Sequence, residues 1–247
     1  MTAESMRTVV ITGASRGIGH QTVIRFARAG WRVISCSRED IPVECKVGPM
    51  AHRHIPTDLS DGDSIDAFIA EANETLGSGP VHALVNNAGV SPKTSFKERL
   101  GTLNGSLDHW REVFELNFFA PLLLARGFAA PLHRGQGAIV NVTSIAGHRV
   151  HPFAGSAYAC SKAALSALTR EMAVEFAHLD VRVNAVCPGE IETAMLSPEY
   201  EDLMPRIPMG HMGAPEDVAG AIFYLCGPDA AYVSGTEIMI TGGQHLI

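Results

Sequence analysis

The chain has 247 residues, a length that suits one large α/β domain better than two small ones. Hydrophobic residues make up 46 % and aromatics only 6 %, so Ala, Val, Ile, Leu and Gly carry the interior, as where helices pack closely on a buried sheet. A formal charge of −7 gives no basic footprint for nucleic acid, and no apolar run approaches the roughly 18 residues a membrane span needs.

The segment from Met1 to Arg7 is short and polar and leads directly into a strand, so a targeting peptide is not expected and a cytoplasmic protein is. Thr8 to Ile11 reads as a buried parallel strand. A turn over Thr12–Gly19 follows, then a helix to about Ala29, with Gly30 as its cap. Arg32–Cys36 is a second strand. Glu39–Met50 lacks helical period and holds Pro42, Gly48 and Pro49, so a loop is expected there. His54–Pro56 is a third strand, followed by a helix from about Ser60 to Leu76. His82–Val85 is a fourth strand, and a long polar connection runs from Val90 to Ser106. A helix from Leu107 to His133 contains Pro121, which should kink it. Ala138–Val142, Val181–Val186 and Thr236–Ile240 complete the strands, with helices at Ser156–Ala177 and Pro215–Cys226 between them. Strands alternating with helices imply a doubly wound parallel sheet, whose sites lie at the carboxyl ends of the strands.

Five scattered cysteines without a C-x-x-C pair read as reduced thiols, and no metal site is expected. The turn after the first strand is more informative. Gly13 permits its tight bend, Gly17 lets backbone approach a phosphate, and Gly19 allows close packing of helix on strand. The helix N-terminus then offers free N–H groups to a pyrophosphate. At the end of the second strand, Ser37 and Arg38 suit the 2′-phosphate of NADP, with Arg16 as a second cation. In the competing reading, Glu39 or Asp40 binds a ribose hydroxyl of NAD. Asp58 either accepts from the adenine amino group or serves as a helix N-terminal carboxylate.

Tyr158 and Lys162 stand four residues apart, one turn along a single helix face. An ammonium beside a phenol favours the phenolate and draws the tyrosine down from about 10. Such a tyrosine can protonate a carbonyl oxygen or take a proton from an alcohol.

Together these motifs resemble the classical short-chain dehydrogenase/reductase family over nearly the whole chain. The motifs run in order: Thr12-Gly-x-x-x-Gly-x-Gly19, Asp58, Asn86-Asn-Ala-Gly89, Asn117, Ser144, Tyr158-x-x-x-Lys162, and Pro188-Gly189 with Thr193. The closing segment is similar to the branch containing 3-oxoacyl-carrier-protein reductases and many sugar and alcohol dehydrogenases. The resemblance implies a single Rossmann domain of about seven strands over residues 1–247, a homotetramer or homodimer, and a small-molecule carbonyl or alcohol as substrate. It implies a catalytic set of Asn117, Ser144, Tyr158 and Lys162, with Asn117 holding a water behind Lys162. It further implies a cofactor site of Gly13, Ser15, Arg16, Gly17, Ile18, Gly19, Ser37, Arg38, Asp58, Leu59, Asn87, Ala88, Gly89, Pro188, Gly189, Ile191 and Thr193, with Tyr158 and Lys162. NADP is the implied cofactor and NAD the alternative. A dinucleotide-binding regulator without turnover, or an NAD-dependent dehydrogenase of a sugar or hydroxy acid, are the competing functions.

The sequence departs from the family pattern at Glu190, where many relatives are apolar. His148 and His151 lie nearby in the chain and are expected as solvated loop residues, with a polar or anionic substrate as the other use of all three. Met195, Met204, Met209 and Met212 either wall the site or fill a mobile cover.

Overall fold

The computed structural model describes residues 6–41, 52–93, 99–193 and 203–247. Seven parallel strands form one sheet in the order β3-β2-β1-β4-β5-β6-β7. They are β1 Thr8–Thr12, β2 Arg32–Ser37, β3 His52–Pro56, β4 Ala83–Asn86, β5 Ala138–Val142, β6 Arg182–Pro188 and β7 Glu237–Ile240. The sheet order reverses between β1 and β4, so a crevice opens there at the carboxyl ends of the strands.

Strand alternation splits the interior into two cores. Val10, Ile34, Leu84, Ile139 and Val183 face α2 (Gly62–Leu76), α4 (Ala120–Gly127) and α6 (Ser156–Glu175). Val9, Ile11, Val33, Val85, Val140 and Val186 face α1 (Gly17–Arg28) and α7 (Pro215–Cys226). Both faces being covered explains why these strands read as continuous apolar runs. Phe26 anchors the second core, with the Trp31 ring edge-on at 4.9 Å; each such buried side chain contributes about 1.5–3 kcal/mol. Cys36, Cys187 and Cys226 lie within the packing, whereas Cys160 is exposed on α6.

The helix ends follow local chemistry. Asp61 caps α2 by accepting the Ser64 N–H at 3.1 Å, and Ser106 caps α3 (Leu107–Phe114) by accepting that of His109 at 3.2 Å. Pro215 opens α7, and Asp217 reaches back to the Ala214 N–H at 2.8 Å. Among the described residues no single helix is long and apolar enough to cross a membrane.

The expected helix from Leu107 to His133 is in fact three helices. A π-helical turn over Glu115–Phe119 joins α3 to α4, and α5 (Ala129–Gly135) departs at 60°. The sharp bend is therefore at Phe128 rather than at Pro121. Its cause is Pro131, which has no N–H for the Gly127 carbonyl; the Asn73 side chain reaches that carbonyl instead, at 3.4 Å. Pro121 acts one turn earlier, leaving the Asn117 carbonyl without its i+4 donor, and the backbone widens into the π-turn there. The loop expected over Glu39–Met50 lies mostly outside the described residues.

Candidate active site

The glycine turn is built by fit. Gly13 and Gly17 sit at φ +68° and +56°, where glycine is favoured. Gly19 lies where a Cβ would come within 2.1 Å of the Gly13 carbonyl oxygen. Gly13 and Ala14 donate their N–H groups to the Cys36 carbonyl at the end of β2. Asn87 pins the turn from the other side, giving its side-chain N–H groups to the Thr12 and Gly13 carbonyls at 2.9 and 3.2 Å. The Thr12 hydroxyl oxygen accepts the N–H groups of Asn87 and Ala88, both at 3.0 Å. The side chain of Asn87 thus holds the turn itself.

A cleft of about 270 Å³ runs from this turn across the sheet ends to Tyr158. Of the site residues named from sequence, all but Gly19 and Asn117 line it. Gly19 lies beneath, packed on the turn. At the β2 end, Ser37 donates to the Glu39 carbonyl at 2.6 Å, and Arg16 stands 3.9 Å from the Glu39 carboxylate with both side chains exposed. Asp58 accepts the Ser60 N–H and hydroxyl at 3.0 and 2.6 Å, which holds its carboxyl below the usual range. That geometry makes it the carboxylate of the turn before α2, with Arg38 nearby. A dinucleotide fits this surface: turn N–H groups, two guanidiniums and a gap at Gly89, where a Cβ would meet Lys162 Nζ at 3.3 Å, follow one another along the cleft.

At the far end, Ser144 leaves β5 in extended conformation and turns its hydroxyl to the Tyr158 phenol. The expected lowering of the Tyr158 pKa by Lys162 is not what the structure gives. Burial raises the phenol above its usual value, the Ser144 hydrogen bond offsets part of this, and the Glu190 charge adds to the rise. Lys162 is turned away, its ammonium donating to the Val142 carbonyl at 2.7 Å, with Nζ 5.8 Å from the Tyr158 ring centre. Burial pulls the Lys162 pKa down from 10.5 to about 8.

This depression has a thermodynamic sign. The cost of burying the ammonium is fully present below about pH 8 and is relieved as pH rises toward the unfolded value of about 10.4. Unfolding free energies of wild type and Lys162→Met, measured by denaturant titration at pH 7 and pH 10, should shift relative to each other in favour of wild type at the higher pH, by at most about 3 kcal/mol. A pH-independent difference would contradict the assignment.

The Asn117 side chain makes three hydrogen bonds. It is fully buried and committed: Oδ1 accepts the Val90 N–H at 2.9 Å, and Nδ2 donates to the Val90 carbonyl and the Ser161 hydroxyl, each at 3.0 Å. The amide clamps the loop after β4 to α6.

His151 and Glu190 are not solvated. They are 7 % and 4 % exposed, hydrogen-bonded at 2.7 Å, and both line the cleft. The signal available was Glu190 itself, a charge directly after the Pro188-Gly189 strand end. His148 stands outside the cleft, paired with Glu237 at 2.8 Å. Met204 and Met209 are exposed and Met212 also lies off the cleft, while Met195 falls outside the described residues.

A phosphate-sized turn at the sheet's switch point, sharing one cleft with a serine–tyrosine pair, belongs to the class of dinucleotide-dependent oxidoreductases with a Rossmann fold. Residues 13–245 match the family model described as Enoyl-(Acyl carrier protein) reductase. The chain belongs to the short-chain dehydrogenase/reductase family, whose members are NAD(P)-binding dehydrogenases and reductases of alcohol and carbonyl groups. It is 52 % identical to the protein FixR of Bradyrhizobium diazoefficiens over 97 % of this chain and 87 % of that one. It is 35 % identical to a galactitol 2-dehydrogenase (L-tagatose-forming) of Cereibacter sphaeroides, over 94 % and 92 %. Among solved structures, a short-chain dehydrogenase/reductase of Brucella ovis, in complex with partially ordered NAD, shares 48 % identity and a TM-score of 0.80, covering 96 % of this chain and all of that one.

Proposed function

We propose that this protein is an NADP(H)-dependent oxidoreductase that interconverts a small-molecule carbonyl and its alcohol, acting as one Rossmann domain over residues 1–247 in a cytoplasmic homotetramer. The observation that carries the reading is the shared cleft, in which the glycine turn and the Ser144–Tyr158 pair lie at opposite ends. A nicotinamide dinucleotide bound along the cleft would supply or accept the hydride. Ser144 and Tyr158 hold the substrate oxygen between two hydroxyls, and Tyr158 passes the proton to it. The buried Lys162 ammonium would bind the cofactor ribose. The Asn117 carbonyl extends the proton path from Lys162 toward solvent. Because burial raises Tyr158, the phenol starts protonated, which suits carbonyl reduction at neutral pH.

NADP(H) is favoured because Arg16 and Arg38, two guanidiniums, line the ribose end of the cleft beside the Glu39 and Asp58 carboxylates. A second reading, NAD(H) with Glu39 accepting from a ribose hydroxyl, draws on the same carboxylate and on the NAD seen with the Brucella ovis relative. Arg38→Ala should weaken NADPH binding by about ten-fold or more and NADH binding far less. An unchanged preference, measured by fluorescence titration of both cofactors, would remove Arg38 and favour the NAD reading. Turnover of a panel of ketones, sugars and acyl thioesters with both cofactors tests the function itself, and complete inactivity with all of them would point to a dinucleotide-binding regulator.

A further inference from the structure

Glu190 follows Pro188-Gly189 at the end of β6, and His151 approaches it from the loop between β5 and α6. His151 Nδ1 accepts two backbone N–H groups, from Phe153 at 3.2 Å and Ala154 at 3.1 Å. Nδ1 therefore carries no proton, and the ring proton lies on Nε2, where it is donated to Glu190 Oε1 at 2.7 Å. Gln244 supplies a second neutral donor to the same oxygen, Nε2 at 3.2 Å. Its amide is turned so that Oε1 is buried without a partner among the described residues. That oxygen lies 3.0 Å from where a Cβ on residue 189 would sit, so Gly189 is what admits the Gln244 side chain. Among the described residues, no lysine or arginine forms an ion pair with Glu190.

The result is a buried negative charge held by neutral donors in the wall of the cavity that contains Ser144 and Tyr158. A buried charge supported in this way is costly until a further donor reaches it. A substrate carboxylate would meet it with like charge. A substrate ammonium would share the cavity with the Lys162 ammonium. A neutral hydroxyl satisfies both constraints. We propose that Glu190, positioned by His151 and Gln244, binds a hydroxyl on the carbon next to the reacting one, so that the substrates are neutral vicinal diols and α-hydroxy ketones rather than hydroxy acids. The inference rests on the oxidoreductase reading above and deepens it. Of the polar or anionic substrate expected for His148, His151 and Glu190, it selects the polar one.

Three four-carbon alcohols test it with the full-length protein and its preferred cofactor: 2,3-butanediol, 2-butanol and 2-hydroxybutanoate. Wild type should favour the diol over 2-butanol by at least about ten-fold in kcat/KM. Glu190→Gln keeps the shape and an oxygen for both His151 and Gln244 but removes the charge. It should bring that ratio toward one, mainly through KM, and raise kcat/KM for 2-hydroxybutanoate. The gain on the acid is a change that structural damage would not produce. An unchanged diol ratio in Glu190→Gln, or a wild-type preference for the acid, overturns the proposal. Saturation-transfer NMR of diol binding to cofactor-loaded protein separates it from the parent reading. Binding lost in Glu190→Gln, with no turnover in wild type, would sustain the subsite and remove the oxidoreductase reading; no binding to wild type would remove the subsite.

Discussion

Tyr158→Phe is expected to lower carbonyl reduction by about 10²–10⁴-fold while leaving dinucleotide affinity nearly unchanged. The phenol is half-buried at the substrate end of the cleft and hydrogen-bonded to Ser144, so phenylalanine occupies its space and removes only the proton. No neighbouring group can replace it. Ser144 is a far weaker acid, Lys162 is turned to the Val142 carbonyl, and Glu190 is engaged by His151 and Gln244. Steady-state reduction of any accepted ketone, with a parallel cofactor titration, checks both halves. Full activity in the variant would end the acid–base assignment, and lost cofactor binding would show that the substitution had disturbed more than the proton.

The second large effect concerns a residue that never lines the cleft. Gly19→Ala should destabilise the protein by about 1–3 kcal/mol and weaken dinucleotide binding by about ten-fold or more. The new Cβ would lie 2.1 Å from the Gly13 carbonyl oxygen and 2.4 Å from Asn87 Nδ2, and the oxygen belongs to backbone already tied to β2 and β4. Relief requires the turn to open, which also spreads the N–H groups meant for phosphate. Gly220→Ala is the matched control. It sits in α7 with nothing within 4 Å of the added carbon, so it should be neutral or stabilising by up to about 1 kcal/mol. Chemical denaturation of both variants decides the matter, and equal behaviour of the two would show that the close approach at Gly19 is tolerated.

The strands other than β3 were legible because each is short and mostly apolar, whereas β3, His-Arg-His-Ile-Pro, begins two residues before the expected His54; Pro215 marked the start of α7. The helix over 107–135 was not legible because two prolines and two glycines compete along it, and period alone does not say which break bends. Pro131 bends it through a carbonyl that only a distant Asn73 can satisfy, and that contact is invisible in the sequence. At the site, residue type indicated which side chains gather but not how they are engaged. Tyr158 and Lys162 stand as the spacing predicts, yet the lysine binds backbone and burial moves the phenol the opposite way. Asn117 was named for a water, and its amide turns out to fasten Val90 to α6. His151 was the clearest miss. Its burial depends on Glu190, 39 residues further along the chain, and on two N–H groups of its own loop.

The distribution of thiols sets how the protein meets an oxidant. Burial pushes Cys187 and Cys226 up to about 12 and Cys36 higher still, so almost none of these sulfurs is a thiolate at neutral pH, and none is reachable. Cys160 is exposed on the outer side of α6, two residues beyond Tyr158. Among the described cysteines, ageing in air would therefore join chains through Cys160 and leave both cores intact. A maleimide dye attached there would sit on the helix that carries the reactive tyrosine, without entering the cleft.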